Sequence, residues 1–391
     1  MRKAIFLAAT LAALLGTSSA NAQETVKIGL ILPYSGQFAD TATQIDNGIK
    51  LYMKQRGDTV AGRKIEIIRK DTGGVAPDVA KRLAQELVVR DKVDILAGFA
   101  LTPNAMAASD VSDQAKKFMV IMNAATSIIT TKSSYSTRTS MTLPMVGETM
   151  GGWAHKSGIR KTYTMVSDFG PGHDAEGAFH RAFKAAGGEI VGSVRMPVAN
   201  PDFSAFVQRA KDLNPESIFI FVPGGAQPAA LGKAFAERGV DPTKIKIMGT
   251  GEVVDEQAVK SMGDAALGII TAWHYDFNHD SKMNKDFVAA HNAEFKRNPD
   301  FFSVGGYDGM HLIYEAMKKT AGKTDGEALI AAAKGLAWES PRGPVSIDPE
   351  TRDIIQTIYI RKVEKVGNDL RNVAFDKVEK VKDPVKAAMK K

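Results

Sequence analysis

The stretch from Val93 to Thr126, VDILAGFALTPNAMAASDVSDQAKKFMVIMNAAT, decides the fold. Val93–Ala97 and Phe118–Met122 are short apolar runs typical of buried strands, and Asn104–Lys116 between them has helical spacing. Two apolar strands joined by a helix predict a parallel β-α-β unit that is buried on both faces. Because such units connect right-handedly, the turns that follow the two strands lie at the same edge of the sheet.

Both of these turns, Gly98–Pro103 and Asn123–Thr126, consist mostly of small residues. Open α/β sheets hold ligands at the carboxyl ends of their strands, where the turns offer backbone N–H groups. Thr102 and Thr126 add one hydroxyl each. Thr102 alone could simply cap the helix that follows it. Two such turns at one edge favour a pocket for a small polar ligand.

The amino terminus has the features of a removable export signal. Arg2 and Lys3 form its charged start, Ala4–Gly16 its apolar core, and Ala20-Asn21-Ala22 an A-x-A-like cleavage site. The apolar core is too short to span a bilayer, and there is no cysteine to carry a lipid anchor. We therefore expect cleavage after Ala22 and a soluble protein in a bacterial periplasm.

The chain has 391 residues, a formal net charge of +7 and no cysteine. The lack of cysteine excludes disulfides, thiolate nucleophiles and cysteine-ligated metals. Lysines gather in Lys377–Lys391, and a basic tail can indicate nucleic-acid binding. Export and the absence of interleaved aromatic residues argue against that. We interpret the tail as a solvated end and expect no nucleic-acid partner.

Strands alternate with helices in two successive halves, which start at Thr25–Leu32 and Lys161–Val166. Two later helical patterns, Asn284–Phe295 and Ser303–Lys318, need a sheet face to cover, so we expect the chain to return to the first half. The predicted fold is α/β with two lobes, each a mostly parallel sheet flanked by helices, around a ligand cleft and a three-crossing hinge. The crossings are expected near 138–144, 272–277 and 348–354, with 23–140 and 275–350 in the first lobe and 141–274 and 351–391 in the second.

Motifs for catalysis and cofactor binding are missing from the sequence. It contains no Walker A phosphate loop, no G-x-G-x-x-G after the first strand, no H-E-x-x-H and no G-x-S-x-G. His274 and His279 are near each other but lack an obvious third metal ligand. Glu252 and Asp255 could act as acid and base, yet carboxylates at a strand-to-helix junction also favour helix starts. We expect a binding protein rather than an enzyme, without cofactor or metal.

Three motifs carry a family resemblance: KIGLILPYSG from Lys27, DTGGVAPDVA from Asp71, and FALTP…MNAATS from Phe99. With the export signal, they resemble type I periplasmic binding proteins, in particular the Leu/Ile/Val-binding branch, over essentially the whole mature chain. The resemblance implies a solute-binding component of an ABC importer, which captures a small carboxylate between its lobes and delivers it to a membrane permease. We expect a monomer.

The resemblance also implies ligand contacts in the first lobe. The Thr102 hydroxyl, beside the backbone of Ala100 and Leu101, would hold the ligand carboxylate. The turn after the next strand would contribute the backbone of Ala124 and the Thr126 hydroxyl. Neutral donors at such turns bind a carboxylate without a buried arginine.

In the second lobe the sequence departs from the amino-acid binders of the family. Where they have a tyrosine, this chain has Phe169, and no tyrosine stands near Gly225–Ala226, where a second one is expected. The acid that holds the ligand ammonium in the family falls at Glu252, within one residue of register.

These departures leave two classes of ligand open. A branched-chain or other hydrophobic amino acid is the first choice, with Glu252 pairing its ammonium because a buried unpaired charge is very unfavourable. An aromatic or keto acid has no ammonium and would place its apolar end among Phe169, Phe99 and Phe38. Phe99 and Phe38 could equally be ordinary packing residues. An exported hydrolase and a sensor subunit are further alternatives.

Overall fold

The computed structural model describes residues 25–199, 202–241 and 244–389. The predicted export signal, with its cleavage site after Ala22, lies outside these residues. Within them, no helix is both long enough and apolar enough to cross a membrane. The described chain forms two sheets flanked by helices, in agreement with the strand-helix rhythm of the sequence.

The first sheet has the strand order β2-β3-β1-β4-β5-β6, and its neighbouring strands are parallel except for β2 and β3. Both strands of the central stretch, β4 and β5, are buried at every residue, which confirms the predicted β-α-β unit. The strands of this sheet are β1 Thr25–Leu32, β2 Thr59–Val60, β3 Arg63–Asp71, β4 Ile95–Gly98, β5 Phe118–Ile121 and β6 Ser136–Arg138.

The second sheet has the order β12-β13-β14-β11-β10-β9-β7-β8, and β15 also pairs with β14. Strands β7 to β11 are paired in parallel, whereas the pairs that involve β12 to β15 are antiparallel. The predicted lobe bounds place β12 and β13 in the first lobe, but their hydrogen bonds join them to the second sheet. The strands are β7 Lys161–Ser167, β8 Glu189–Met196, β9 Ser217–Phe221, β10 Lys246–Thr250, β11 Ile270–Trp273, β12 Ala337–Ser340, β13 Gly343–Ile347, β14 Ile354–Val366 and β15 Asp369–Val381.

The late helices return to the first sheet, as the sequence predicts. Helix α11 crosses α1 closely: a Cβ at Gly48 would lie 1.9 Å from the Ser303 carbonyl oxygen, so glycine is required there. The Ser303 hydroxyl also donates to Gln44 Oε1 at 2.7 Å. The helices are α1 Ala39–Arg56, α2 Pro77–Val89, α3 Thr102–Gln114, α4 Ile129–Lys132, α5 Leu143–Lys156, α6 Gly170–Ala185, α7 Ser204–Asp212, α8 Gln227–Arg238, α9 Glu256–Met262, α10 Lys282–Phe295, α11 Phe301–Lys319, α12 Gly326–Ala333 and α13 Pro384–Ala388.

Each sheet contains a point where the strand order reverses direction. In the first sheet, β3 lies on one side of β1 and β4 on the other, and in the second sheet β8 and β9 lie on opposite sides of β7. Ligands of open α/β sheets bind outside the carboxyl ends of the strands at such switch points. Thr102 directly follows the turn after β4, and Phe169 follows β7. The two switch points therefore mark one cleft between the lobes.

The carboxyl-terminal segment is folded, although much of it is exposed to solvent. Strand β15 pairs with β14 over most of its length, and α13 follows it. Lys386 is buried, with Nζ 2.5 Å from Asp353 and hydrogen-bonded to Thr130. The interpretation of Lys377–Lys391 as a solvated end holds for Lys377, Lys380 and Lys382, which are exposed, but not for Lys386, which is buried. The charged side chains lie on the exposed face of β15, and because of them the sequence did not predict a strand here.

Candidate ligand-binding site

The first half of the site is the amino terminus of α3. The hydroxyls of Thr102 and Thr126 lie 2.9 Å apart, and the Thr126 N–H reaches Thr102 Oγ1 at 3.4 Å. The N-cap residue of α3 is Leu101, which makes no side-chain cap, so Thr102 does not cap this helix. The first N–H groups of α3 and two hydroxyls therefore gather at one place. Such a group of donors, at the positive end of a helix dipole, suits an anion.

The second lobe brings another helix amino terminus to the same place. A Cβ on Gly170, the first residue of α6, would lie 2.9 Å from Thr126 Oγ1 and 3.4 Å from Thr102 Cγ2. The N-cap of this helix, Phe169, makes no side-chain cap either. The positive ends of α3 and α6 thus face each other across the pair of threonines.

Direct contacts hold the lobes together around this place. The Ser127 N–H donates to Asp174 Oδ2 at 2.7 Å, and burial raises the pKa of that carboxyl. The Ala226 N–H donates to the Gln37 carbonyl at 3.2 Å. Gly225 has φ +97°, and a Cβ there would come within 2.4 Å of the same Gln37 oxygen. Glycine at this position lets the two backbones meet, and the structure represents a closed arrangement of the lobes.

A narrow cavity remains between the closed lobes. The empty space between its walls amounts to about 350 Å³. Four phenylalanine rings form much of the wall, and those of Phe169 and Phe221 lie 6.0 Å apart at 30°. The residues around the cavity are Phe38, Thr41, Ala100, Leu101, Thr102, Asn123, Ala125, Leu143, Phe169, Pro171, Phe221, Pro223, Gly224, Glu252 and Phe302.

Glu252 is the acidic residue of the cavity wall. It lies in the turn after β10, the residue is only 5% exposed, and its Oε2 has no hydrogen-bond partner within the described chain. Burial, with a smaller contribution from nearby Asp255 and against the opposing effect of the Gly224 N–H, raises the pKa of its carboxyl to about 8. A carboxyl with this pKa is mostly protonated at neutral pH.

The neighbouring acids have structural tasks. Asp255 caps α9, because its Oδ1 accepts from the N–H groups of Gln257 and Ala258. Burial raises the pKa of Asp255 to about 7, with the Ala258 N–H opposing and Asp40 adding to the shift. Asp300 caps α11 in the same way. The described residues contain no group of three His, Asp or Glu side chains arranged to hold a metal ion.

A buried arginine supports the Thr126 turn. Arg138, which is fully buried, donates to the carbonyls of Ala124 and Thr126 at 2.9 Å and to that of Ser127 at 3.1 Å. Its Nε also lies 2.9 Å from Asp353. The guanidinium fixes the turn from behind and places a positive charge near the anion-binding end. The sequence contained no signal for this role, since one arginine in a Ser/Thr-rich segment has no distinctive pattern.

Two predicted ligand contacts, Ala124 and Phe99, are not among the residues that line the cavity. The Ala124 carbonyl accepts from Arg138 and its N–H donates to the Phe99 carbonyl at 2.8 Å, so both backbone groups are used within the lobe. The Phe99 side chain packs in the core cluster behind the first sheet, with Leu96 and Met119, and does not line the cavity. Its backbone φ of +62° turns the chain at the end of β4 and points the ring inward.

The other predicted residues come together. Ala100, Leu101, Thr102, Phe169, Glu252 and Phe38 all line the cavity, and Thr126 lies against Thr102 beside it. Sequence reasoning missed Phe221 and Phe302. Phe221 is the last residue of β9, within the apolar run SIFIFV, and a position at the carboxyl end of a buried strand could have identified it. Phe302 belongs to the first turn of α11, and only the return of that helix to the cleft brings it there.

Comparison with known proteins places the chain in a family. The model of the family described as periplasmic binding protein matches residues 25–368. A Leu/Ile/Val-binding protein homolog from Brucella melitensis is 42% identical over 371 residues, which cover 94% of this chain and 95% of the relative.

Solved structures agree in fold over most of the chain. An ABC-transporter solute-binding protein from Rhodopseudomonas palustris BisB5, in complex with 3,4-dihydroxybenzoic acid, is 56% identical with a TM-score of 0.90, covering 93% of this chain and 99% of that one. One from R. palustris HaA2, in complex with p-hydroxybenzoic acid, is 41% identical with a TM-score of 0.90, covering 93% and 100%. The two lobes, the cleft at their switch points and these matches confirm the resemblance in the sequence: the chain belongs to the periplasmic binding protein family.

Proposed function

We propose that this protein captures an aromatic carboxylate in the cleft between its lobes and delivers it to the permease of an ABC importer. The observation that carries the proposal is the asymmetry of the cavity. One end has the Thr102 and Thr126 hydroxyls and two helix amino termini, and the walls are built largely from phenyl rings. An ionised carboxylate suits the donors, and a flat ring suits apolar aromatic walls.

The ligand contacts follow from this division. The carboxylate would accept from the Thr102 hydroxyl and the first N–H groups of α3, with Thr126 holding Thr102 in place. The ring would pack between Phe38 and Phe302 of the first lobe and Phe169 and Phe221 of the second. A ligand that touches both lobes favours the closed arrangement, and closure is the signal that the permease recognises. The solved relatives bound to hydroxybenzoic acids support this assignment.

A hydrophobic amino acid is the second candidate. The Leu/Ile/Val-binding homologs and the acid at Glu252 favour it. An ammonium would need Glu252 in its ionised form within the closed cleft, where burial raises the pKa of its carboxyl to about 8 and favours the neutral form at pH 7. Ionising it there takes about 1.4 kcal/mol for each unit by which the pKa exceeds the pH. That penalty, and the lack of tyrosines in the second lobe, rank this candidate below the aromatic acid.

The remaining parts of the proposal concern export and organisation. The chain would be cleaved after Ala22 and work in the periplasm as a binding protein without catalytic activity. Its lobes would comprise 23–140 with 275–350 and 141–274 with 351–391, with β12 and β13 bridging them. Closure would move the lobes about the segments near 138–144, 272–277 and 348–354.

Isothermal titration of the mature protein tests the proposal. The titrants are benzoate, 4-hydroxybenzoate, an aliphatic keto acid, leucine and phenylalanine. We expect micromolar or tighter binding of at least one benzoate and no heat from the amino acids; binding of leucine alone would establish the second candidate. Glu252→Gln is the matched variant, because it should abolish amino-acid binding and spare an aromatic acid. Turnover of a benzoate ester by the protein would instead indicate a hydrolase.

A further inference from the structure

Glu252 is a polar group in the cavity that the carboxylate-binding end does not use. Its Oε2 lacks a hydrogen-bond partner in the described chain, although the residue is only 5% exposed. Leaving a buried carboxyl oxygen without a hydrogen-bond partner is unfavourable. The charged group that influences the pKa of Glu252 is another acid, Asp255. No cation therefore accounts for Glu252, and a ligand group that can hydrogen-bond would complete it.

The sheet places Glu252 at the opposite end of the cavity from the threonines. Strands β7, β9 and β10 are consecutive neighbours in the second sheet. Gly170, which packs on Thr126, follows β7, and Glu252 follows β10, two strands away. At about 4.8 Å per strand, the two positions are separated by roughly 10 Å. Phe221 and Gly224, at the end of the intervening β9, cover the space between them.

We propose that Glu252 is the specificity residue that recognises a ring hydroxyl opposite the carboxylate, so that the protein selects hydroxylated benzoates over benzoates without a hydroxyl. One aromatic ring with a carboxylate and an opposite hydroxyl spans the gap when a hydrogen bond is added at each end. This inference rests on the proposed function and goes beyond it, because it assigns the ring substituent and the residue that recognises it.

The chemistry of the carboxyl supports this selection. A carboxyl that stays protonated at neutral pH both donates to a phenol oxygen and accepts from its O–H. Among the described residues that line the cavity, the hydroxyl of Thr41 is a further buried polar atom without a hydrogen-bond partner, available to a second polar group of the ligand. A ring without a hydroxyl leaves both atoms buried and unpaired, and that is how a polar site rejects an apolar analogue.

The test compares three titrants of similar shape on the mature protein: 4-hydroxybenzoate, 4-methylbenzoate and benzoate. We expect 4-hydroxybenzoate to bind about 10- to 100-fold more tightly than 4-methylbenzoate. Glu252→Leu should reduce that ratio to about threefold or less and strengthen 4-methylbenzoate binding, since the apolar side chain removes the unpaired oxygen. Glu252→Gln should keep a clear preference, because the amide also donates and accepts.

The matched control is Glu256→Gln, which removes a neighbouring acid outside the cavity wall and should leave the ratio unchanged. Circular dichroism melting checks that each variant is folded, and Glu252→Met replaces Glu252→Leu where the latter does not fold. A preference that survives in the apolar variant, or equal binding of the three acids to the wild type, overturns this inference alone. Failure of all three acids to bind overturns the proposed function and the inference together.

Discussion

Proton uptake on ligand binding is a direct consequence of the position of Glu252. The residue lies in the wall of a cavity between the lobes, so parting of the lobes returns its carboxyl to water and to its ordinary pKa of 4.5. Closure buries it and raises the pKa to about 8. Between these two values the open protein is ionised at this site and the closed protein is protonated. Closing on an aromatic acid must therefore take up a proton.

The magnitude follows from these two values. At pH 7, a group that moves from a pKa of 4.5 to about 8 takes up about 0.9 proton. Affinity is greatest below the lower pKa, falls about tenfold per pH unit from there to about pH 8, and is constant above it. The ligand carboxylate stays ionised above pH 5.5, so it does not reverse this trend.

Other groups at the lobe interface also titrate. Asp255 faces Asp40, Arg297 and Asp300 of the first lobe, and its own pKa of about 7 predicts further uptake. The contribution of Glu252 is therefore the difference between the wild type and Glu252→Gln in the number of protons taken up on ligand binding.

Isothermal titration in buffers of different ionisation enthalpy measures the number of protons directly. With 4-hydroxybenzoate at pH 7, we expect the wild type to take up about 0.9 proton more than Glu252→Gln. The variant should also lose most of the decline in affinity between pH 5.5 and 7.5. Equal proton numbers for the two proteins would refute the reasoning, because Glu252 would then have the same protonation in the open and closed states.

Three further substitutions test the rest of the site. Thr102→Val should weaken aromatic acids by about 1–3 kcal/mol through the lost hydroxyl, with an unchanged melting temperature; unchanged affinity by titration would move the carboxylate elsewhere. Gly225→Ala should block closure, because its Cβ would lie 2.4 Å from the Gln37 carbonyl oxygen. Small-angle scattering of this variant should then show no ligand-induced compaction. The control is Gly152→Ala, whose Cβ meets nothing within 4 Å and which should behave as the wild type. Arg138→Met should destabilise the protein by about 3–5 kcal/mol in urea unfolding, since three buried carbonyls lose their donor and Asp353 keeps only one cationic partner in the described chain, Lys386; a loss under 1 kcal/mol would contradict the structural role of Arg138.

The fold was predictable because its signals are local and repeated. The runs in Val93–Thr126 could form only a buried parallel unit, and the same rhythm after Lys161 predicted the second lobe. The late helices were placed correctly because two amphipathic helices without a sheet of their own must cover an existing one. Strand β15 was missed because its exposed face is charged, and exposed charges are what a solvated tail also has.

Site residues could be predicted from the sequence only where a side chain suited to ligand binding stands near the carboxyl end of a predicted strand. Thr102, Phe169 and Glu252 directly follow strands, and the structure brings all three to one cavity. Phe99 also follows a strand, but a positive φ turns its side chain into the core, and a single sequence does not reveal that angle for a phenylalanine. The role of Arg138 could not be predicted for a related reason. It donates to backbone carbonyls, which every residue type has, so no sequence pattern marks its partners.

The two facing helix termini explain why a carboxylate controls closure. Each amino terminus carries the equivalent of about half a positive charge, and closure places those of α3 and α6 on opposite sides of the Thr102–Thr126 pair. Asp174 meets one N–H of this region, that of Ser127, and leaves the threonine pair without a negative partner. Without a ligand, closure therefore brings like partial charges together and buries donors that water would otherwise satisfy. A carboxylate between them reverses the sign of that interaction, so we expect the anionic end of the ligand to drive closure and the far end, at the proposed specificity residue Glu252, to decide which acid is retained.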